Sequence, residues 1–570
     1  MRKFLLFLLP IATSFTAVYG DVTLPPLISD NMLLQKPMAA VWGKADPGEQ
    51  VTVKLGAVSA KTTANKDGKW RVKLEGLKSG IVGEMTISGK NKLTIQNVAV
   101  GDVWVCSGQS NMQMSLAKTD WNKGAINSEQ EIAAANYPGI RMFTVPRKTS
   151  TTPLEEVDGK WEVCSPGTVG PWSATGYFFG RQLHQDLHLP IGLIHTSWGG
   201  TPAQSWTPAE VLQGDPEFKA NYWDKAQEKF LQYPTLIEVY NKETLPAWQA
   251  AVDAAKAEGK PAPRKPIEPL GPNSQYAPSR LFNGMLLGAT KYSIKGAIWY
   301  QGESNASDAA GYRRLLPAMI NAWRKEWKQG EFPFYIVQLA NYMARRAEPT
   351  DSNWANLRDA QRVIALKVPN TGLAVAIDIG DEKDIHPRNK QEVGRRLALA
   401  AEAKTYGKEI VFSGPWFDKA SFDGANVKIS FKPGTALGMA TPDGGEIKGF
   451  AIAGEDKKFV WATAKIVPAG VPAKGSKAGK SKAAEPTLLL TSPEVAKPVA
   501  VRYAWANSPE VNLVNKAGLP AVPFRTDDWP QVEPPPIPAA PAATPAPTPV
   551  AVPAPAATPT ASATATPAPQ

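Results

Sequence analysis

Four short, glycine-bearing polar clusters each directly follow an apolar run. Ser107-Gly108-Gln109-Ser110-Asn111 follows the run from Val98 to Cys106, and Gly199-Gly200-Thr201 follows Ile191 to Trp198. Gln301-Gly302-Glu303-Ser304-Asn305 follows Gly296 to Tyr300. The fourth, Gly380-Asp381-Glu382-Lys383-Asp384-Ile385-His386-Pro387, follows Gly372 to Ile379. If the runs are strands of one parallel sheet, the clusters converge at its carboxyl edge, where such sheets bind ligands. A serine hydroxyl there is a poor nucleophile at neutral pH unless an imidazole accepts its proton, and a carboxylate usually holds that imidazole in place.

The histidines narrow the choice of base. The chain has four: His184, His188, His195 and His386. His184 and His188 lie one helical turn apart, a spacing that can bind a metal. The intervening Gln185-Asp186-Leu187 lacks the glutamate of a zinc-protease motif, so they read as surface residues. His195 falls inside an apolar run and reads as core. That leaves His386 beside Asp384, either a base at a strand end or a loop histidine next to a capping aspartate.

The elements that must position these groups change character along the chain. Residues 21–97 alternate in short segments between Gly/Asp/Pro turns, the pattern of a small N-terminal β-sandwich. In residues 98–407 the apolar runs alternate with helical patterns at Ser173 to His188, Arg313 to Trp327 and Asn389 to Lys404. Runs buried on both faces predict an α/β catalytic domain, a parallel sheet wrapped by helices on each side. Residues 206–277 read as an inserted helical excursion. Residues 408–533 form a second β-rich region, with a flexible low-complexity loop at 467–486.

The two ends stand outside this scheme. Residues 1–20 have the charged, apolar, small-residue order of a signal peptide, which predicts an exported product: periplasmic, surface-held or secreted. No later segment is apolar enough for a membrane span. The Pro/Ala/Thr-rich stretch 534–570 carries no charge and is expected to be a disordered tail. A chain of 570 residues with a formal charge of +11, 43% hydrophobic and 20% charged, is neither fibrous nor wholly disordered. Its basic residues lack an interleaved aromatic motif, so nucleic acid is not an expected partner. Two cysteines, Cys106 and Cys164, are too few for a disulfide framework; they are either paired or buried free thiols.

Taken in order, Gly108-Gln109-Ser110-Asn111-Met112, Trp198-Gly199-Gly200-Thr201, Trp299-Tyr300-Gln301-Gly302-Glu303-Ser304-Asn305 and Asp384-Ile385-His386-Pro387 resemble the blocks of sialate O-acetylesterases, carbohydrate esterases of SGNH type. The resemblance runs from about residue 24 to 525. It implies a three-layer α/β/α SGNH-hydrolase-like fold and removal of O-acetyl groups from sugars, without metal or organic cofactor. Ser110 would be the nucleophile, His386 the general base and then acid, and Asp384 its orienting group. The oxyanion would be held by the backbone N–H groups of Ser110 and Gly200 (or Gly199) and by a side-chain amide from Gln301 or Asn305, with Gln301 placed first. Many SGNH hydrolases carry the acid three residues before the histidine, where this chain has Lys383. Asp384, Asp381 or a backbone carbonyl therefore remain as alternatives for holding His386.

Trp198, Trp206 and Trp299, adjacent to the clusters, are candidate sugar-stacking surfaces, with core packing as the competing reading. Two other functions share these features. One is the same mechanism acting on acetylated xylan or another polysaccharide; the other is a non-catalytic surface protein that binds carbohydrate. A glycosidase using Glu303 and Asp384 would leave Ser110, the double glycine and His386 without roles.

Overall fold

The strand Lys92–Gly108, 17 residues long, links the two ways in which this chain makes sheet. Its first half alternates exposed and buried residues, whereas its second half is buried throughout. One-sided burial becomes two-sided burial within a single strand, so the boundary expected at residue 98 falls inside continuous β-structure. The computed structural model describes residues 21–469 and 485–530. The expected signal peptide, the expected tail and most of the expected 467–486 loop lie outside the described residues.

The first half pairs antiparallel with Gly80–Ser88, which joins it to the N-terminal strands. The second half sits in the middle of a run ordered Thr371–Ala374, Phe334–Val337, Gly296–Tyr300, Lys92–Gly108, Ile191–Ser197, Tyr137–Thr144, Trp161–Cys164. Every neighbouring pair is parallel except the last, so the large sheet is mixed. Gly108 stands opposite both Tyr300 and Ser197, which brings the first three polar clusters off the sheet at one level.

Alternate strand residues feed two apolar cores. Val103, Val105, Trp299 and Ile336 pack with Leu315, Met319, Trp323 and Leu357 of helices Ala309–Trp327 and Asn353–Lys367. Trp104, Cys106, Ile298 and Tyr335 pack with Phe178, Phe179, Leu183, Val393 and Leu397 of helices Ala174–Leu187 and Lys390–Lys404. Each such side chain contributes about 1.5–3 kcal/mol when withdrawn from water, so helices on both faces are what the doubly apolar strands require.

Caps set the helix ends. Ser173 accepts from the Gly176 N–H at the start of one helix. Asn389 accepts from the Glu392 N–H at the start of another, a side-chain cap that places Lys390 first in that helix. The helix expected from Arg313 begins at Ala309, because Asp308 caps Gly311. The apolar run to Ile379 is strand only through Ala374, where its neighbour strand also ends at Val337. The released segment from 375 onward is free to turn toward the sheet edge.

Between 206 and 277 the chain includes helices Ala209–Gly214, Lys225–Val239 and Leu245–Ala257. Beyond residue 408, two four-stranded antiparallel sheets follow. Arg358, fully buried, fastens this region to the large sheet by donating to the carbonyls of Leu339, Ala340, Ala506 and Asn507. Cys106 and Cys164 are free and buried. No helix among the described residues is long and apolar enough to cross a membrane.

Gly108 is the tightest point of the strand ends. Its φ is +140°, and a Cβ there would stand 2.1 Å from the Tyr300 carbonyl oxygen. Gly108→Ala is therefore expected to separate the two strand ends and to lower stability by about 1–3 kcal/mol. Urea unfolding measures this; an unchanged midpoint would show that the ends are not in contact.

Candidate functional site

Ser110 opens a single helical turn, Ser110–Gln113, immediately after the long strand. The first N–H groups of such a turn have no partner within it, and no hydrogen bond engages the Ser110 N–H among the described residues. Gln109 anchors the turn: its N–H donates to Tyr300, and its side-chain oxygen accepts from the N–H groups of Gly302 and Ser304. The second cluster packs against the same turn. A Cβ on Gly199 would lie 3.3 Å from that of Ser110, and the Gly199 N–H donates to Gln113 Oε1 at 2.6 Å. Ser304 Oγ donates to the Gly200 carbonyl at 2.7 Å, tying the third cluster to the second.

The fourth cluster arrives through Asn111. Its Nδ2 donates to the Ile385 carbonyl at 3.0 Å and to Glu303 Oε1 at 2.6 Å. The residues adjoining Ser110 and His386 are thereby bonded directly to each other. No hydrogen bond joins Ser110 Oγ to the His386 ring among the described residues. His386 Nδ1 lies 3.6 Å from Asp384 Oδ1, which also accepts the His386 backbone N–H at 3.0 Å. Asp384 Oδ2 pairs with Lys123 at 3.0 Å. Asp381 does other work, receiving the Lys383 N–H and shaping the loop.

The electrostatics suit a neutral imidazole. Burial and the Lys390 cation hold the His386 pKa below its ordinary value, against the Asp384 carboxylate, which raises it. Burial alone would raise the Asp384 pKa. The His386 backbone N–H and Lys123 together outweigh that effect and hold it low. Lys390 is fully buried, with Nζ 2.6 Å from Asn111 Oδ1 and 5.1 Å from the centre of the Tyr300 ring. Burial pushes its pKa down to about 7. Burial also raises the pKa of Glu303, one of whose oxygens is sealed off without a partner.

The remaining residues singled out from the sequence divide sharply. Gln301 is wholly buried, and its amide donates to the Thr201 carbonyl and to Asn305 Oδ1, so it is an internal strut. Asn305 accepts from the Ala203 N–H and donates to Gln204 Oε1 at 3.1 Å, which leaves its second amide hydrogen available. Of the two amides, the packing therefore leaves that of Asn305, rather than that of Gln301 placed first from the sequence, with a hydrogen to offer. The Gly199 N–H is already committed to Gln113, whereas no hydrogen bond engages the Gly200 N–H among the described residues.

Trp206 and Trp299 are also corrected. Both are fully buried and pack edge to face, with Trp299 doing the same against Trp323, so neither offers a face to a ligand. Trp198 is half-buried beneath the Arg147 guanidinium. His195 is a core residue whose Nε2 meets Ser197 Oγ at 2.7 Å. His184 meets the Leu189 carbonyl through Nδ1.

Two exposed aromatics escaped the sequence reading. Trp121, 45% exposed, packs edge-on against the His386 ring with centroids 5.6 Å apart. Tyr276, 39% exposed, stands over Gly200, where an added Cβ would meet its ring at 3.5 Å. Trp121 lies in the polar stretch Lys118-Thr119-Asp120-Trp121-Asn122-Lys123, and that setting was the available signal of an exposed ring. A cavity of about 710 Å³ lies elsewhere, bordered by Arg345, Trp461 and Glu510, and includes none of the clustered residues. No group of three His, Cys, Asp or Glu residues among the described residues is placed to hold a metal ion.

Residues 274–403 match the family described as carbohydrate esterase, sialic acid-specific acetylesterase. A sialate O-acetylesterase of Mus musculus is 30% identical over 521 residues, covering 85% of this chain and 89% of that protein. The sialate O-acetylesterase of Homo sapiens is 31% identical over 432 residues, covering 69% and 73% respectively. Among solved structures, a carbohydrate acetylesterase from Xanthomonas citri superimposes with a TM-score of 0.72 at 34% identity, covering 89% of this chain and all of that one. The order of the four clusters and this extent of similarity lead to one assignment: the chain belongs to the sialate O-acetylesterase family.

Proposed function

We propose that this protein is a carboxylic ester hydrolase that removes acetyl groups from the hydroxyls of carbohydrates through a Ser110 acyl-enzyme. The observation that carries the mechanism is the bond from Asn111 Nδ2 to the Ile385 carbonyl, which joins the side chain of the residue beside the hydroxyl to the backbone beside the imidazole. The large sheet and its helices are read as a three-layer hydrolase core flanked by β-rich regions.

In this scheme Ser110 Oγ attacks the acetyl carbonyl carbon while His386 takes its proton. The Ser110 and Gly200 N–H groups and the free hydrogen of the Asn305 amide receive the oxyanion. His386, now protonated, gives its proton to the sugar oxygen as the C–O bond breaks. Water then attacks the acetyl-serine, losing a proton to His386, and acetate leaves as Ser110 recovers its hydrogen. Loss of one oxyanion donor costs about 2.7–4 kcal/mol of transition-state stabilisation, which makes Asn305 and the Gly200 turn sensitive positions, second to the nucleophile and the base. Trp121 and Tyr276 are the surfaces on which a sugar ring rests, because their faces are exposed beside the imidazole and the oxyanion donors.

Acetate release from a panel of O-acetylated sialic acids and acetylated xylan tests the activity and its sugar. Ser110→Ala and His386→Ala are expected to lose about 10³–10⁶-fold in kcat while melting like the parent. Equal acetate release by parent and Ser110→Ala would end the acyl-enzyme reading. Release from xylan alone would move the substrate to a plant polysaccharide.

The pH profile gives a separate check. The depressed pKa of His386 keeps the base neutral down to lower pH, so the acid limb of kcat/KM is expected below the ordinary histidine value. Asp384→Ala removes the carboxylate that raises this pKa. The limb should then move further down while kcat falls; an upward shift would contradict the assignment of Asp384.

A further inference from the structure

Three groups of the candidate site converge on one amide, and the mechanism above uses only their neighbours. Asn111 gives both hydrogens of Nδ2, one to Glu303 and one to the carbonyl beside His386, and its Oδ1 accepts from Lys390. Its backbone carbonyl accepts from Thr175 Oγ1 at 3.1 Å. An amide can point its oxygen and nitrogen either way. A strong donor fixed at Oδ1 forces Nδ2 toward Glu303 and Ile385. Lys390 is such a donor: it is buried, is the first residue of the helix that follows the His386 loop, and lies over the face of Tyr300. Neutral core residues would fill the same space without the desolvation cost of an amine, so a buried lysine here needs a reason.

We propose that Lys390 is a positioning residue for the esterase reaction, fixing the orientation of Asn111 and so holding the Ser110 turn and the His386 loop in reactive register. The proposal rests on the serine-esterase reading. It assigns no contact between Lys390 and substrate. The lysine also contributes a positive charge that faces the base. The charged groups around His386 are Asp384 on its own loop, Lys123 beyond Asp384, and Lys390 from the helix, with Glu303 from the third cluster against Lys390. Losing the Lys390 charge removes a repulsion toward imidazolium, so the pKa of His386 rises.

The test compares the full-length parent with Lys390→Met, Lys390→Gln and Ser110→Ala. The assays are 4-nitrophenyl acetate hydrolysis from pH 5 to 9, the rate of serine labelling by a fluorophosphonate, and thermal melting. For Lys390→Met we expect kcat to fall about 10–100-fold, the cost of a slightly misplaced catalytic group, with KM nearly unchanged. Its acid limb should move to higher pH and its labelling should slow. Lys390→Gln keeps a donor for Asn111 without the charge, so it should regain part of kcat while retaining the shifted limb.

A folded Lys390→Met with parental kcat and an unmoved limb would overturn the proposal. Should that variant not fold, Lys390→Gln decides alone on the same criteria. Failure of both to fold would make Lys390 a stability residue and equally overturn the proposal. Failure of the underlying reading looks different: Ser110→Ala would then hydrolyse and label as fast as the parent, whatever the lysine variants do.

Discussion

One side-chain amide, that of Asn111, is the constraint on which the rest of the site depends. Its three hydrogen bonds are shared among the loop after residue 380, the third cluster and the helix beginning at Lys390. These segments lie roughly two to three hundred residues away in sequence, and only the parallel sheet brings them to one edge. The sheet supplies coarse convergence, because Gly108, Tyr300 and Ser197 leave it level with one another. The amide supplies the finer adjustment, since a hydrogen bond tolerates errors of only a few tenths of an ångström. A site assembled from loops needs both.

The charge arrangement follows from the same economy of space. Glu303 and Lys390 are both withdrawn from water, and Asn111 stands between them rather than allowing a bare ion pair. Burial pushes each toward its neutral form, while each favours the charged form of the other. The imidazole at 386 sits at the border of this dry region, half-exposed beneath Trp121. An imidazole in that position stays unprotonated at neutral pH and keeps part of its surface open, as the proposed base must. Placing the cation inside and the aspartate outside achieves this without burying the base completely.

Much of this was legible in the sequence, for a physical reason. Apolar runs buried on two faces look different from alternating strands, and polar clusters after such runs mark a sheet edge whatever the connecting segments do. The clusters themselves could be read, but the direction of their side chains could not. Gln301 and Asn305 carry the same amide four residues apart. Only the packing shows that one is a strut and the other retains a free hydrogen. Trp206 and Trp299 next to glycine turns were indistinguishable from ligand platforms until their rings were seen edge to face in the core. Lys390 left no signal at all, since a lysine at the start of a helix is ordinarily solvated and the cap at Asn389 explains its position without chemistry.

On its open side the site is bordered by two exposed aromatic rings. Trp121 borders the imidazole and Tyr276 borders Gly200, so in the proposed scheme two exposed rings border the place where the acetyl group enters. Sugars present apolar C–H faces and a rim of hydroxyls, and aromatic faces select the former without demanding a fixed hydrogen-bond pattern. In the proposed scheme, by contrast, the oxyanion donors are two backbone N–H groups and the amide of a buried Asn305 already fixed by Ala203 and Gln204, so they are aimed before substrate arrives. Asp384, which adjoins the imidazole, is paired with it and with Lys123, so the aromatic faces are what this side of the site offers a sugar in the proposed scheme.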